Sequence, residues 1–209
     1  MDDLQGHRNI KGPNNSDNPL SIRMRIDDLV EVIYKDIRGP TFMSVQRIYL
    51  VGFMGAGKST VGRELSLKLH WPFIDLDAEI ENAANLSVRE IFERFGEPRF
   101  RELEREHLKR LSEIPQGVIA LGGGAFIDAD NRAVVEASGV AVWLDVSLST
   151  IKERVRPDGT RPLMQDSEQL RMLYERRRPS YKLAGIHVRT DNRLPDAIAE
   201  EIVQRITTL

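Results

Sequence analysis

No cysteine occurs among the 209 residues. That excludes disulfides, thiolate nucleophiles and cysteine-based zinc sites together. No apolar run approaches the roughly 20 residues that a membrane-spanning helix needs. The opening Met1-Asp2-Asp3-Leu4-Gln5 lacks the basic start and apolar core of a secretory signal. Neither sign of charge dominates. There are 30 Lys and Arg against 32 Asp and Glu, a formal net charge of −2, so no global basic field points to nucleic acid. These absences predict a cytoplasmic protein with neither a membrane nor a nucleic-acid partner. The length predicts a single well-buried domain.

What the chain does have is concentrated in Gly52-Phe53-Met54-Gly55-Ala56-Gly57-Lys58-Ser59-Thr60. This run fits G-x-x-x-x-G-K-[ST] in the setting that the motif requires. The apolar stretch Ile48-Tyr49-Leu50-Val51 precedes it, and a helical pattern carrying Val61, Leu65 and Leu69 follows. Glycine lets successive backbone N–H groups turn inward around a phosphate, and a helix starting near Lys58 adds its unpaired amides and positive dipole end. The motif predicts that Gly55, Ala56, Gly57, Lys58, Ser59 and Thr60 hold a nucleoside triphosphate. Lys58 would reach the β- and γ-phosphates, and the Ser59 hydroxyl would ligate Mg²⁺.

Around this loop, strand and helix patterns alternate. Strands are expected over 47–51, 73–76, 118–121, 140–144 and 186–188. Helices are expected over 58–69, from the capping box Ser87-Val88-Arg89-Glu90 onward, and over 99–112, 131–137, 151–155, 169–178 and 195–206. Such alternation implies a parallel sheet covered on both faces, with ligands at the carboxyl ends of its strands. The segment before Met43 differs. Residues 6–18 are polar and rich in breakers, and read as disordered; residues 22–37 read as a short amphipathic helix. We therefore divide the chain into an extension, 1–42, and a P-loop domain, 43–209. The extension is either an interaction arm or an upstream start that adds little, and the second reading is preferred.

Three further features carry chemistry. Asp75 and Asp77 end the second apolar strand, where residues two apart share a face and can enter one cleft. One carboxylate suits Mg²⁺ held through water, and the other suits an acceptor hydroxyl and its proton. The plainer reading is a pair of solvated acids capping the next helix. Gly122-Gly123-Gly124 follows another strand, where exposed backbone N–H groups could support a small ligand, or simply make a tight turn. Arginines occur at Arg101, Arg161 and Arg176-Arg177-Arg178. Most arginines are solvated ion-pair partners, but arginine is also the side chain for planar recognition of carboxylates and phosphates. Residue chemistry alone does not choose among them.

From Arg47 to its end the chain resembles the shikimate kinase family. The P-loop, Asp75-x-Asp77, the Phe-Arg-x-x-Glu run from Phe100 to Glu104, the triple glycine, Arg161-Pro162-Leu163, and Arg177 four residues before Tyr181 follow that family's order. The resemblance implies an α/β three-layer sandwich of P-loop kinase type, with a five-stranded parallel sheet and a mobile lid at 156–166. It implies a monomeric enzyme that moves the γ-phosphoryl of ATP to the 3-hydroxyl of shikimate, with Mg²⁺, in aromatic amino-acid biosynthesis. Lys58, Asp77 and Arg161 would be catalytic, with Asp77 as base or orienter and Arg161 closing over the phosphates. Ser59 and Asp75 would hold the metal. Arg101 and Arg177 would clamp the shikimate carboxylate, and the backbone of Gly122, Gly123 and Gly124 would support the ring. Arg154 and Arg193 would flank adenine. Phe92 and Phe100 would line the ring pocket or belong to the core.

Two rivals remain at this stage. A gluconate-kinase-like enzyme would share the P-loop but not the triple glycine with two clamping arginines. A kinase-like sensor of shikimate-like acids would not need Lys58 or Asp77, and both are present. Asp145 could be a Walker B acid, but reads better as a helix-start residue before Ser147.

Overall fold

The computed structural model describes residues 45–154 and 167–209. The expected helix at 22–37 and the expected lid at 156–166, with Arg161, lie outside the described residues. Met43–Leu209 forms one compact unit.

Five parallel strands make one sheet in the order β2-β3-β1-β4-β5. They are β1 (Arg47–Val51), β2 (Phe73–Asp75), β3 (Gly117–Ala120), β4 (Val140–Asp145) and β5 (Ile186–Arg189). Among the described residues, seven helices connect or flank them: α1 (Lys58–Leu69), α2 (Leu76–Ala84), α3 (Val88–Leu111), α4 (Ala129–Ser138), α5 (Leu148–Arg154), α6 (Ser167–Tyr181) and α7 (Pro195–Thr207). A short 3₁₀ turn spans Ala125–Ile127. The central strands read as continuous apolar runs because helices cover both of their faces. Ile48, Tyr49 and Leu50 of β1 are fully buried, as are Val118 and Ile119 of β3 and Val142 and Leu144 of β4. Burying each large aliphatic side chain contributes about 1.5–3 kcal/mol. The edge strand β5 instead alternates buried and exposed residues.

Register decides what meets at the carboxyl edge. Leu50 pairs with Ala120, and Asp75 also pairs with Ala120. The P-loop after β1, the acids after β2 and the triple glycine after β3 therefore leave three adjacent strands side by side.

Two expectations need correction. Strand β2 ends at Asp75, and Leu76 already begins α2. Asp75 is the N-cap of that helix, its carboxylate accepting from the Asp77 amide at 3.2 Å. Asp75 and Asp77 are thus neighbours across a strand-to-helix corner, and not two residues on one strand face. The two helices expected over 88–112 are both present, joined end to end in α3 with Gly96 at φ 79°, ψ 170° breaking the helix between them. Asp145 does not start the following helix. It ends β4 and faces Arg178, 3.5 Å away, whereas Asp191 accepts from the Ser147 amide at 2.9 Å. The Ser147 hydroxyl in turn accepts from the Thr150 amide.

Candidate active site

Gly57 is the N-cap of α1 in the left-handed region, at φ 95°, and Gly55 also has positive φ, at 75°. A side chain at either position would strain that backbone, so the glycines of the motif keep the loop curled, with the Ala56 amide donating to the Phe53 carbonyl at 3.2 Å. Lys58 donates to the Gly52 and Phe53 carbonyls at 2.9 and 3.2 Å, which folds its ammonium back over the loop. Ser59 donates to Asp75 Oδ2 at 2.8 Å. A hydroxyl of α1 and a carboxylate at the end of β2 are thereby brought to one point beside the loop. These are hard oxygen donors of the kind that Mg²⁺ takes, and few of them suffice because magnesium keeps water and phosphate oxygens. No cluster of three or more His, Asp or Glu suited to a metal occurs among the described residues.

On the other side of the P-loop lies a pocket of about 370 Å³, lined in part by Gly55, Gly57, Thr60, Arg154 and Arg193. Arg154 donates to the Thr190 carbonyl at 3.2 Å, and Arg193 is held by Glu201 and the Arg189 carbonyl. Both arginines thus line the pocket beside the P-loop.

A second part of the cleft is built around the triple glycine. A Cβ on Gly122 would lie 2.5 Å from Asp77 Oδ1 and 3.0 Å from Glu104 Oε1. On Gly123 it would lie 3.1 Å from Arg177 Nη1, and on Gly124 2.5 Å from Arg101 Nη1. Two carboxylates and two guanidinium groups therefore converge on three successive residues, and only glycine admits them that closely. Asp77, Arg101, Gly122, Gly123, Gly124 and Arg177 are brought into one cleft beside Lys58, Ser59 and Asp75. Phe100 is buried and packs on Phe92, ring centroids 4.9 Å apart, so Phe100 belongs to the core that braces Arg101.

The electrostatics of this cleft are those of a dry site. Asp77 Oδ1 and Glu104 Oε1 are buried without a hydrogen-bond partner. Burial, then the Asp75 charge, push the Asp77 carboxyl above its ordinary range, against the pull of Lys58. Burial likewise pushes Glu104 up to about 6, although Arg101 opposes it. Tyr181 rises to about 12, again by burial and against Arg177. Its hydroxyl donates to the Gly123 carbonyl at 2.6 Å, which fixes the glycine run from behind.

Some participants carried no assigned role in the sequence reading. Glu104 holds Arg101 Nη1 at 2.8 Å from a side chain only 1 % exposed. Glu97 holds the same arginine from outside, at 2.9 Å. Phe53, inside the P-loop, lies under the Arg177 guanidinium, 5.9 Å from ring centre to Cζ. The spacings Glu97–Arg101 and Arg101–Glu104 were legible as helical i,i+4 and i,i+3 pairs. Nothing in the sequence separates Phe53 from an ordinary loop residue.

Comparison with known proteins narrows what this cleft belongs to. The family model for shikimate kinase matches residues 54–207. A shikimate kinase from Sulfurihydrogenibium sp. is 42% identical over 163 residues, covering 78% of this chain and 98% of that protein. One from Ruegeria pomeroyi is 43% identical over 175 residues, covering 82% and 88%. Among solved structures, the shikimate kinase from Acinetobacter baumannii in complex with shikimate superimposes with a TM-score of 0.75 at 37% identity, covering 80% of this chain and 96% of that one. A gluconokinase from Sinorhizobium meliloti, at 17% identity and a TM-score of 0.52, shares the fold alone. The family model takes in both the P-loop lysine and the glycine run that gathers Asp77, Arg101 and Arg177, and the relatives match over nearly their whole length. On that ground the chain belongs to the shikimate kinase family.

Proposed function

We propose that this protein transfers the γ-phosphoryl of ATP to the 3-hydroxyl of shikimate. One observation carries the reading: two arginines and a buried carboxylate close on a glycine run beside a P-loop. Two guanidinium groups suit an acceptor that bears a carboxylate, and the carboxylate of Asp77 suits one that bears a hydroxyl. Family membership and the 37% identical structure with shikimate support the same acceptor. A gluconate-type reading has only the shared fold behind it.

In this account each residue has a task fixed by its place. The P-loop amides and Lys58 cradle the phosphates, and Lys58 leaves the Gly52 and Phe53 carbonyls to do so. Ser59 and Asp75 would hold Mg²⁺, which when bound neutralises phosphate charge. Arg154 and Arg193 flank the base. Arg101 and Arg177 grip the acid and so set the ring against Gly122–Gly124. Asp77 then lies behind the attacking hydroxyl, orients it and accepts its proton. Its raised pKa brings its basicity closer to the working pH, which favours proton transfer.

Lysine substitution tests the clamp. A lysine keeps the charge but cannot offer two parallel donors. Arg101→Lys and Arg177→Lys should each raise the KM for shikimate at least about tenfold, with the KM for ATP changed less than about threefold. Normal shikimate KM in both variants, or a loss confined to ATP, would remove the clamp.

A further inference from the structure

Arg101 does not present an open edge to the cleft. Its Nε and Nη2 both donate to Glu97 Oε1, at 3.2 and 2.9 Å, and Nη1 donates to Glu104 Oε2 at 2.8 Å. The Nη1–Nη2 edge lies against Gly124, where a Cβ would sit 2.5 and 2.6 Å from the two nitrogens. The Nε–Nη2 edge is therefore the two-donor edge not packed on the glycine run, and a carboxylate of this same chain occupies it. The two glutamates differ in what they can do. Glu104 is 1 % exposed and fixed in the interior, whereas Glu97 is 62 % exposed. Glu97 also directly follows Gly96, whose φ of 79° and ψ of 170° break α3 just before it.

We propose that Glu97 is an internal competitor for the acceptor's carboxylate. It covers the Nε–Nη2 edge of Arg101 and is displaced into solvent when the acid binds. The idea rests on the reading of Arg101 as a carboxylate clamp. Displacement is cheap, because an exposed carboxylate regains water as it leaves and exposed ion pairs contribute little. Its effect is on selectivity. A bare guanidinium beside a phosphate-binding loop would attract inorganic phosphate and other small anions. Glu97 neutralises that attraction, and an acid that also engages Arg177, Asp77 and the glycine run displaces it where a simple anion does not. Glu97 is thus a specificity-determining residue that makes no contact with the bound acceptor.

Calorimetric titration of Glu97→Gln with shikimate tests this. The Kd should fall roughly two- to fivefold, the range that loss of one exposed ion pair supports. Glu97→Ala should move the same way. An acceptor analogue with a hydroxymethyl group in place of the carboxylate should bind wild type and both variants alike. Inorganic phosphate should become a stronger inhibitor, competitive with shikimate, while kcat and the KM for ATP stay within about twofold. A Kd that rises would instead make Glu97 a brace for Arg101, and an unchanged Kd would make the pair irrelevant; either overturns the proposal. If Arg101→Lys left the shikimate Kd unchanged, the clamp itself would fail. If that variant bound weakly while Glu97→Gln did not tighten, only the competition would fail.

Discussion

At the scale of single residues, the cleft holds its chemistry by keeping carboxylates dry. Glu104 is the clearest case. Its folded-state pKa of about 6 lies above its ordinary 4.5, so ionising it costs the folded protein. The stability that depends on its proton is full below about pH 4.5 and is lost as the pH rises through about 6. Glutamine does not titrate. The stability of Glu104→Gln relative to wild type should therefore improve by about 1 kcal/mol between those two pH values and approach about 2 kcal/mol well above pH 6, read from urea denaturation at each pH. A difference flat across that window would remove the buried charge from the account. With Asp77 as the proposed base or orienter, Asp77→Asn should lower kcat by on the order of 10²-fold or more without unfolding the protein. Retained turnover in that variant would end its role as base or orienter. Glu104 shows how much of this was legible. Phe100, Glu104, His107 and Leu108 share one buried face of α3, a spacing that places Glu104 inside with the apolar residues. The charge of the residue hid that pattern, because glutamate is so seldom buried.

The elements were read well in kind and less well at their ends. Leu76 looked like one more apolar strand residue, but the capping preference of Asp75 won and turned the chain into α2 one residue earlier. The break at Gly96 falls between the two helices expected there, and Gly96 and Pro98 are the breakers that mark it. Gly96 needs its positive φ, and a Cβ there would meet only Pro98 Cδ at 3.5 Å. Its substitution is thus a conformational matter and not a steric one. Gly96→Ala should cost about 1–3 kcal/mol of stability, as a residue forced into that region does. It should also raise the KM for shikimate more than that for ATP, since the segment it aims carries Arg101. A variant as stable as wild type would show that the break is not imposed by the fold.

For the whole molecule, the alternation of strand and helix gave the class and the carboxyl-edge location of the site. It did not give the strand order β2-β3-β1-β4-β5, because each pairing joins segments far apart in sequence. That order is what sets the P-loop, the acids and the glycine run on three neighbouring strands, so the site was legible in its parts before its geometry was. Met43–Leu209 contains every described site residue. A chain beginning at Met43 should keep the kcat/KM and Tm of the full chain, and a loss in either would give the segment before it a part in folding or catalysis. The central claim is the acceptor itself. ADP release with ATP and Mg²⁺, measured side by side with shikimate, quinate and gluconate, tests it most directly. Turnover is expected with shikimate, with the product phosphorylated at the 3-hydroxyl, and gluconate should give no more than the background without acceptor. Faster turnover with gluconate, or no ADP with any of the three, would contradict it.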